Sequence, residues 1–252
     1  PHVMIKKSIG KLGVPIIYSD EYLCFKHRII GIHSPDIHKM ELENLFLYLK
    51  SNGNLVRFLT LSISAVAGTS MSSYLLNKDD IMNIPYPENS NDVQLSFRES
   101  IVQNDVLNYY IKLNSSSETS PLNQPVTEEA LHEYGDAFCN VLNPIYEQNG
   151  QKWFVHSFHE EDAAIAYTFC YGKPASDILP NLFDGGLAGI ERLLHNTTHR
   201  NIRIYRVLRE YLHLEGYDIL ILIKPKSLRY WLQSIALRDA DETFSDLKRT
   251  GF

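Results

Sequence analysis

One polar segment near the middle of the chain limits the fold more than any other feature. Residues 114–125 read Asn-Ser-Ser-Ser-Glu-Thr-Ser-Pro-Leu-Asn-Gln-Pro, with four serines, two prolines and one leucine. This composition lacks the apolar periodicity that a packed helix or strand needs, and it is typical of a linker. We therefore predict an α+β protein of two small domains, 1–113 and 127–252, joined by a linker at 114–126.

The first predicted domain mixes strands and helices. Runs rich in β-branched and aromatic residues predict short strands at 2–5, 14–18, 22–25 and 29–32. Apolar residues at helical spacing predict helices at 38–50, 54–66 and 93–112. Between the last two lies a hydroxyl-rich turn from Gly68, then a short helical turn capped by Asn77 or Asp79. Pro85 and Pro87 end it in extended conformation.

The second predicted domain begins with a helix capped by Thr127 and ending at Pro144. Alternating apolar residues predict a hairpin of 151–158 with 163–171, and glycines precede a short helix at 187–194. The pattern at 201–212 fits either a helix or a strand. We favour a strand paired with 217–223, followed by a terminal helix at 227–247.

Charge is unevenly distributed along the chain, whose formal net charge is −6. Residues 1–90 hold 9 Lys+Arg against 8 Asp+Glu, residues 91–176 hold 4 against 12, and residues 177–252 hold 11 against 10. The acidic middle favours a protein partner over DNA. A local excess of bases at 192–229 could meet phosphates, although for such a charge run alone a well-solvated surface is the favoured interpretation.

No apolar run approaches the roughly 20 residues of a membrane span, so we expect no membrane partner. Three cysteines, Cys24, Cys139 and Cys170, are far apart in the chain. Their number and spacing favour a reducing, cytoplasmic location without disulfides. The opening Pro1-His2-Val3 resembles a strand entered partway, so we expect a piece of a longer protein.

Several motifs resemble catalytic or cofactor-binding motifs, but their sequence context indicates structural roles. The tetrapeptide Asn143-Pro144-Ile145-Tyr146 resembles the loop with which amino-group methyltransferases hold adenine, but it lacks the second proline and follows a helix. We interpret it as a helix terminator. The glycines at 184–189 have neither phosphate-loop spacing nor a preceding apolar strand.

Titratable residues also form no complete catalytic set. The histidine pairs at 156/159 and 195/199 are interpreted as surface residues, because no further ligand is near in sequence. A nuclease motif ending at Lys224 would need an acid where Leu222 stands. Acidic residues of the last helix are predicted on a solvated face: Asp239, Asp241, Glu242 and Asp246. We predict no catalytic residue, metal or cofactor in this chain.

Two stretches resemble a known family. Asn54-Leu55-Val56-Arg57-Phe58, followed by Ser70-Met71-Ser72-Ser73-Tyr74-Leu75-Leu76-Asn77-Lys78-Asp79-Asp80-Ile81-Met82-Asn83-Ile84-Pro85-Tyr86-Pro87, is similar to the C-terminal specificity region of large adenine-specific DNA methyltransferases of type I and type II restriction–modification systems. The tail at 223–243 looks like one found on bacterial methylase-like proteins. The resemblance covers roughly residues 1–90 and, with less specificity, 200–247.

The resemblance implies a target-recognition fragment that binds double-stranded DNA and is not catalytic by itself. S-adenosylmethionine would be bound by an upstream catalytic domain, the second expected partner. Arg57 and Lys78 would meet phosphates, whereas Ser70, Ser72 and Ser73 would contact phosphates or base edges. Weaker phosphate candidates lie in the second domain: Arg203, Arg209, Lys224, Lys226 and Arg229.

An alternative of another class remains open. The second domain, or the whole chain, could be an interaction module that docks a methylase to another subunit of a restriction or phage-defence system. For the serines at 70–73, a simple turn with hydroxyl caps is an equally good interpretation.

Overall fold

The computed structural model describes residues 1–8, 14–63, 76–87, 93–109, 120–160, 164–172, 207–214 and 216–252. Within them the chain is α+β, with helices and two antiparallel sheets. It divides into two compact units, Pro1–Asn114 and Ser115–Phe252. None of the described helices is long and apolar enough to cross a bilayer.

The first unit is built on a three-stranded sheet with β1 (His2–Lys6) at its centre, between β2 (Ile16–Ser19) and β3 (Ile29–His33). Because side chains alternate across a strand, Val3 and Ile5 share one face, and both are buried. They form a core with Leu42 and Leu49 of α1 (Lys39–Ser51). The helix thus covers the apolar face of the sheet.

In its described residues the first unit has three further α-helices: α2 (Gly53–Ile63), α3 (Lys78–Met82) and α4 (Phe97–Asn108). Helix α2 packs against both α3 and α4. Helix α3 begins after Asn77, whose main-chain N–H donates to the Asp80 carboxylate at 2.8 Å. Reciprocal capping of this kind fixes the start of a short helix, and of the two predicted caps Asn77 is the correct one.

One predicted strand is wrong. Residues 22–25 form no strand, and the Tyr22 side chain is 91% exposed. The Phe25 ring instead lies so close to Gly31 of β3 that a Cβ at that position would overlap it. The aromatic residue that suggested a strand therefore packs across a neighbouring strand.

The second unit contains a four-stranded sheet in the order β4 (Trp153–Glu160), β5 (Ala164–Gly172), β7 (Tyr217–Pro225), β6 (Leu208–Leu214). All pairs are antiparallel. The predicted hairpins are confirmed in the described residues, including a strand in the ambiguous segment from residue 208 onward, whereas its first residues, 201–206, lie outside the described part of the chain. Predictions at 184–199 lie outside the described residues.

Helices α5 (Glu128–Tyr146) and α6 (Gln233–Thr250) pack against each other, and α5 also contacts β4. Thr127 caps α5 as predicted, accepting from the Ala130 N–H at 3.3 Å. Aromatic rings fill the space between helix and sheet: the Phe138 and Phe169 rings stack with centroids 4.2 Å apart. Large rings bury the most apolar area per residue, so they dominate this core.

The predicted linker extends too far. In its described part, Leu122 and Val126 are buried. The Val126 N–H donates to the Lys226 carbonyl at 2.9 Å, and the Leu228 N–H donates to the Gln124 carbonyl at 2.9 Å. Residues 120–126 therefore belong to the second unit.

Pro144 does not terminate α5, which continues to Tyr146. The side chain of the preceding residue, Asn143, forms two hydrogen bonds with the Trp153 backbone. Its oxygen accepts from the Trp153 N–H at 2.8 Å, and its amide donates to the Trp153 carbonyl at 3.0 Å. These two bonds tie the last turn of α5 to the start of β4. The tetrapeptide is structural, although not as the terminator we expected.

Gly135 allows α5 to approach the sheet closely, since a Cβ there would overlap the Tyr167 hydroxyl and a Val155 methyl. We expect Gly135→Ala to lower the free energy of unfolding by about 1–3 kcal/mol, the usual cost of overpacking. Urea unfolding followed by circular dichroism measures it. Gly53→Ala is the control, because nothing lies within 4 Å of the added Cβ. Equal stability of the Gly135 variant and wild type would contradict close packing.

Candidate nucleic-acid interface

Basic residues collect at one end of the first sheet. Lys6 is the last residue of β1 and lies opposite Ile29, the first residue of β3. Beyond it, the Lys7 N–H donates to the Arg28 carbonyl at 2.9 Å. The Ile29 N–H donates to the Lys26 carbonyl at 3.1 Å, which folds the turn before β3. Pairing of the two strands thus places Lys6 and Lys7 beside Lys26 and Arg28.

Lys78 joins this group through a contact distant in sequence. The Leu76 N–H donates to the Lys7 carbonyl at 2.7 Å, and Lys78 follows two residues later as the first residue of α3. Its side chain is exposed. We call these five residues the basic end: Lys6, Lys7, Lys26, Arg28 and Lys78.

The basic end carries charge that no described acidic side chain neutralises by an ion pair. Lys39, by contrast, pairs with Asp20 at 2.6 Å. Four members are exposed, and Lys7 is half-buried. Asp79 is the exposed acid next to Lys78, and the five cations outnumber it. An uncompensated cluster of this kind attracts polyanions and raises their rate of association.

Four members of the basic end were missed in the sequence. The pairs Lys6-Lys7 and Lys26-His27-Arg28 are visible as basic runs. Their proximity depends on the register of β1 with β3, which cannot be predicted from the order of the residues alone. Only Lys78 had been singled out, because it lies in the segment that carries the family resemblance.

Arg57, the other predicted phosphate contact of this unit, lies on α2 and is half-buried. Its Nε is buried and has no hydrogen-bond partner. The structure does not bring Arg57 into the basic end through any described contact. Ser70, Ser72, Ser73 and Arg203 lie outside the described residues.

Lys224 is not available to a phosphate, which corrects the prediction. Its side chain is fully buried, and its ammonium donates to Asp239 at 2.5 Å, to the Tyr134 hydroxyl at 2.8 Å and to the Tyr230 carbonyl at 2.8 Å. All three N–H groups are therefore satisfied. The ammonium also lies 4.0 Å from the centroid of the Tyr134 ring.

Asp239 is likewise not on a solvated face, because it is fully buried. Besides Lys224, it accepts a hydrogen bond from the Tyr134 hydroxyl at 2.9 Å. Arg209 lies 3.5 Å from its second oxygen. The network connects α5, α6 and β7, and a buried charge is tolerated only when it is paired in this way.

The remaining basic candidates of the second unit are engaged within it. Arg209 pairs with Glu242 at 2.5 Å, and Lys226 pairs with Glu160 at 2.7 Å. The Arg229 guanidinium donates to the Asn123 side chain. Their charged groups are already paired within the second unit, so the first unit is the stronger candidate for binding an anionic ligand.

A second surface of the first unit has a different character. A groove of about 380 Å³ lies between the end of β3, α1 and α3, and its lining is mainly aliphatic. Met82 lines it and is 68% exposed. Glu41 is the carboxylate of the lining, and its neighbour His38 contacts it at 3.1 Å.

The described residues contain no group of three or more side chains arranged to hold a metal ion. The three cysteines are free thiols. A scan against protein-family models and a search of the curated proteins each found no match.

Burial of Lys224 gives a pH dependence with a defined sign. Desolvation lowers the pKa of its ammonium from 10.5 to about 8, although Asp239 acts in the opposite direction. Between pH 8 and 9.5 the unfolded chain binds this proton more fully than the native chain, so the group makes the free energy of unfolding rise with pH. We expect a rise on the order of 1 kcal/mol.

The measurement compares urea unfolding of wild type with the variant Lys224→Met/Asp239→Asn at several pH values in that window. The difference between the two isolates this pair from other titrating groups. Lys226→Met serves as control, since Lys226 is partly exposed. Parallel stability curves for wild type and the double variant would show that the Lys224 pKa is not depressed.

Proposed function

We propose that the first unit binds double-stranded DNA through the basic end, and that the chain is the target-recognition part of an adenine-specific DNA methyltransferase. The observation that carries DNA binding is the set of five cations at one end of the sheet, which form no ion pair with any acidic side chain that the structure describes. The link to a methyltransferase comes from the resemblance of residues 54–58 and 70–87.

Four members of the basic end would contact phosphates. Lys6, Lys26 and Arg28 are exposed and close together, so they can follow one stretch of phosphates. Contacts of this kind position a protein on the duplex and release counterions, which supplies most non-specific affinity. Lys78, the first residue of α3, would add a phosphate contact from that helix.

Methyl transfer itself would take place elsewhere. Adenine methyltransferases must extrude the target base from the duplex, and in this proposal an upstream catalytic domain binds S-adenosylmethionine and receives that base. The present chain would hold the duplex in position. It has no catalytic role in the proposal.

DNA binding should weaken with salt in proportion to the phosphates contacted. We expect the triple variant Lys6→Gln/Lys26→Gln/Arg28→Gln to make the slope of log affinity against log salt concentration less steep by about 3, since each phosphate contact contributes about 0.9. Fluorescence anisotropy with a labelled mixed-sequence duplex at several salt concentrations measures it.

The matched control removes three cations from the second unit, with Lys152→Gln/Lys248→Gln/Arg249→Gln. All three are exposed. It changes net charge equally and should leave the slope nearly unchanged. Equal effects of the two triple variants would mean that only net charge matters, and absence of duplex binding at low salt would refute the proposal.

A second candidate function is docking of a protein segment in the aliphatic groove. The exposure of Met82 favours it, because a flexible thioether side chain adapts to apolar partners. Glu41 in the lining favours a segment whose apolar side chains are flanked by lysine or arginine. In this case the chain would connect a methylase to another subunit.

A labelled helical peptide of leucines and lysines tests docking, and the same peptide with glutamates in place of lysines is its counterpart. We expect Met82→Gln to weaken the lysine peptide about tenfold, because the variant loses apolar burial. Leu47→Gln is the control, since Leu47 is exposed on α1 and does not line the groove. Equal binding of both peptides would count against the candidate.

A further inference from the structure

The side of the first sheet that faces away from α1 carries an aromatic ring, and we call this side the outer face. Because side chains alternate along β1, Val3 and Ile5 face the core beneath α1 and Met4 faces the opposite side. Gly31 of β3 is paired with Met4, so it belongs to the outer face as well. A Cβ on Gly31 would overlap the Phe25 ring. That ring therefore lies on the outer face.

The Phe25 ring is held on one side and open on another. It occupies the space that a side chain at position 31 would fill, and it nevertheless remains 41% exposed. A ring that the protein already holds in place loses little freedom when a second flat group stacks on it. Phe25 is therefore suited to receive a planar ligand.

Two imidazole rings continue this surface along β3. His33 lies two residues after Gly31, so its side chain is on the same face of the strand. Its ring stacks on the ring of His2, its partner on β1, with centroids 4.8 Å apart. The outer face thus presents aromatic rings at two successive same-side positions of β3.

Cations of the basic end lie beside the Phe25 ring. Lys6 is on the outer face of β1, since it is two residues from Met4. Lys26 and Arg28 follow Phe25 in the connection that leads into β3. All three are exposed.

Acidic side chains are few around this surface in the described residues. The strand residues that form the outer face include no acid: His2, Met4, Lys6, Ile17, Ser19, Ile29, Gly31 and His33. The connection from β2 to β3 contains Asp20, which is paired with Lys39, and Glu21, which is exposed. The three cations therefore outnumber the one exposed acid of the connection.

An exposed ring next to cations is suited to an unpaired nucleotide. Proteins that bind single strands combine cations along the backbone with aromatic side chains on which bases stack. Within a duplex, each base is covered on both faces by its neighbours, so only an unpaired base can stack on Phe25. An apolar protein segment would use the ring but would leave the cations without counter-charges.

We propose that the outer face binds unpaired nucleotides of the bound DNA, with one base stacked on Phe25 and the adjoining phosphates at Lys6, Lys26 and Arg28. The inference rests on the proposed function, because these three cations are the ones assigned there to duplex phosphates. It adds the class of DNA structure that this surface recognises, a junction between a duplex and a single strand.

Three DNA ligands of one duplex sequence test this proposal: a blunt duplex, the duplex with a short single strand of thymidines, and the duplex with an equally long abasic strand. The last two carry the same phosphates and differ only in their bases. We expect the thymidine strand to bind about tenfold more tightly than the abasic one, because base stacking is lost in the latter. Fluorescence anisotropy measures both affinities.

Matched leucine variants assign this difference to one ring. Phe25→Leu should reduce the ratio of the two affinities to about one, since leucine has no flat ring for a base. Phe97→Leu is the control, because Phe97 is 51% exposed on α4 and has no place on the outer face. It should leave the ratio at about ten. Circular dichroism verifies that both variants fold.

Phe25→Trp gives a second measurement that a purely structural role would not affect. The thymidine strand should quench the fluorescence of the introduced indole, whereas the abasic strand should not. Trp153 and Trp231 are buried in the second unit and provide a constant background. Unchanged fluorescence with bound thymidine strand would show that Phe25 only packs against Gly31, which overturns the inference.

Failure of the inference can be told from failure of the proposed function. Salt-dependent duplex binding with equal affinities for the thymidine and abasic strands would overturn the outer face as a base site and leave duplex binding intact. Quenching of Phe25→Trp by free oligothymidine, without binding of the blunt duplex at low salt, would refute the proposed function and support the outer face.

Discussion

The candidate interface depends on the pairing of β1 along both of its edges. β1 bonds to β2 on one side and to β3 on the other, and Val3 and Ile5 anchor it to the core beneath. With β1 fixed, the end of one strand and the start of the other must lie together. Lys6 and Arg28 are thereby held close without any bond between their side chains, and the core stabilises what would otherwise be mutual repulsion.

Lys224 and Asp239 show the opposite use of charge. On β7, Lys224 shares a strand face with Leu220 and Leu222, both buried. On α6, Asp239 falls among the inward positions Ala236, Ala240 and Thr243. Spacing alone predicts burial for both, whereas their charge predicted exposure, and we followed the charge. Both residues are buried, as their spacing predicts. The cost of burying their charges is reduced because the two residues neutralise each other.

Local patterns in the sequence were sufficient for most of the fold. Alternation predicted both hairpins of the second unit, and the caps at Asn77 and Thr127 marked helix starts. Two kinds of feature could not be predicted from local patterns. Pro144 lies within α5, and the neighbouring Asn143 side chain forms two hydrogen bonds with the Trp153 backbone, a tertiary contact that local patterns do not predict. The hydrogen bond between Leu76 and Lys7 joins residues that are far apart in the sequence, so the basic end could not be predicted from the order of the residues.

A net charge of −6 does not argue against the proposed role. Charges on a protein surface are screened within about 8–10 Å at physiological ionic strength, so in the proposed complex the duplex responds to the charges next to the basic end more than to the net charge of the chain. In the proposal, binding through these cations is sensitive to salt and indifferent to sequence, because phosphate contacts release counterions and carry no information about the bases.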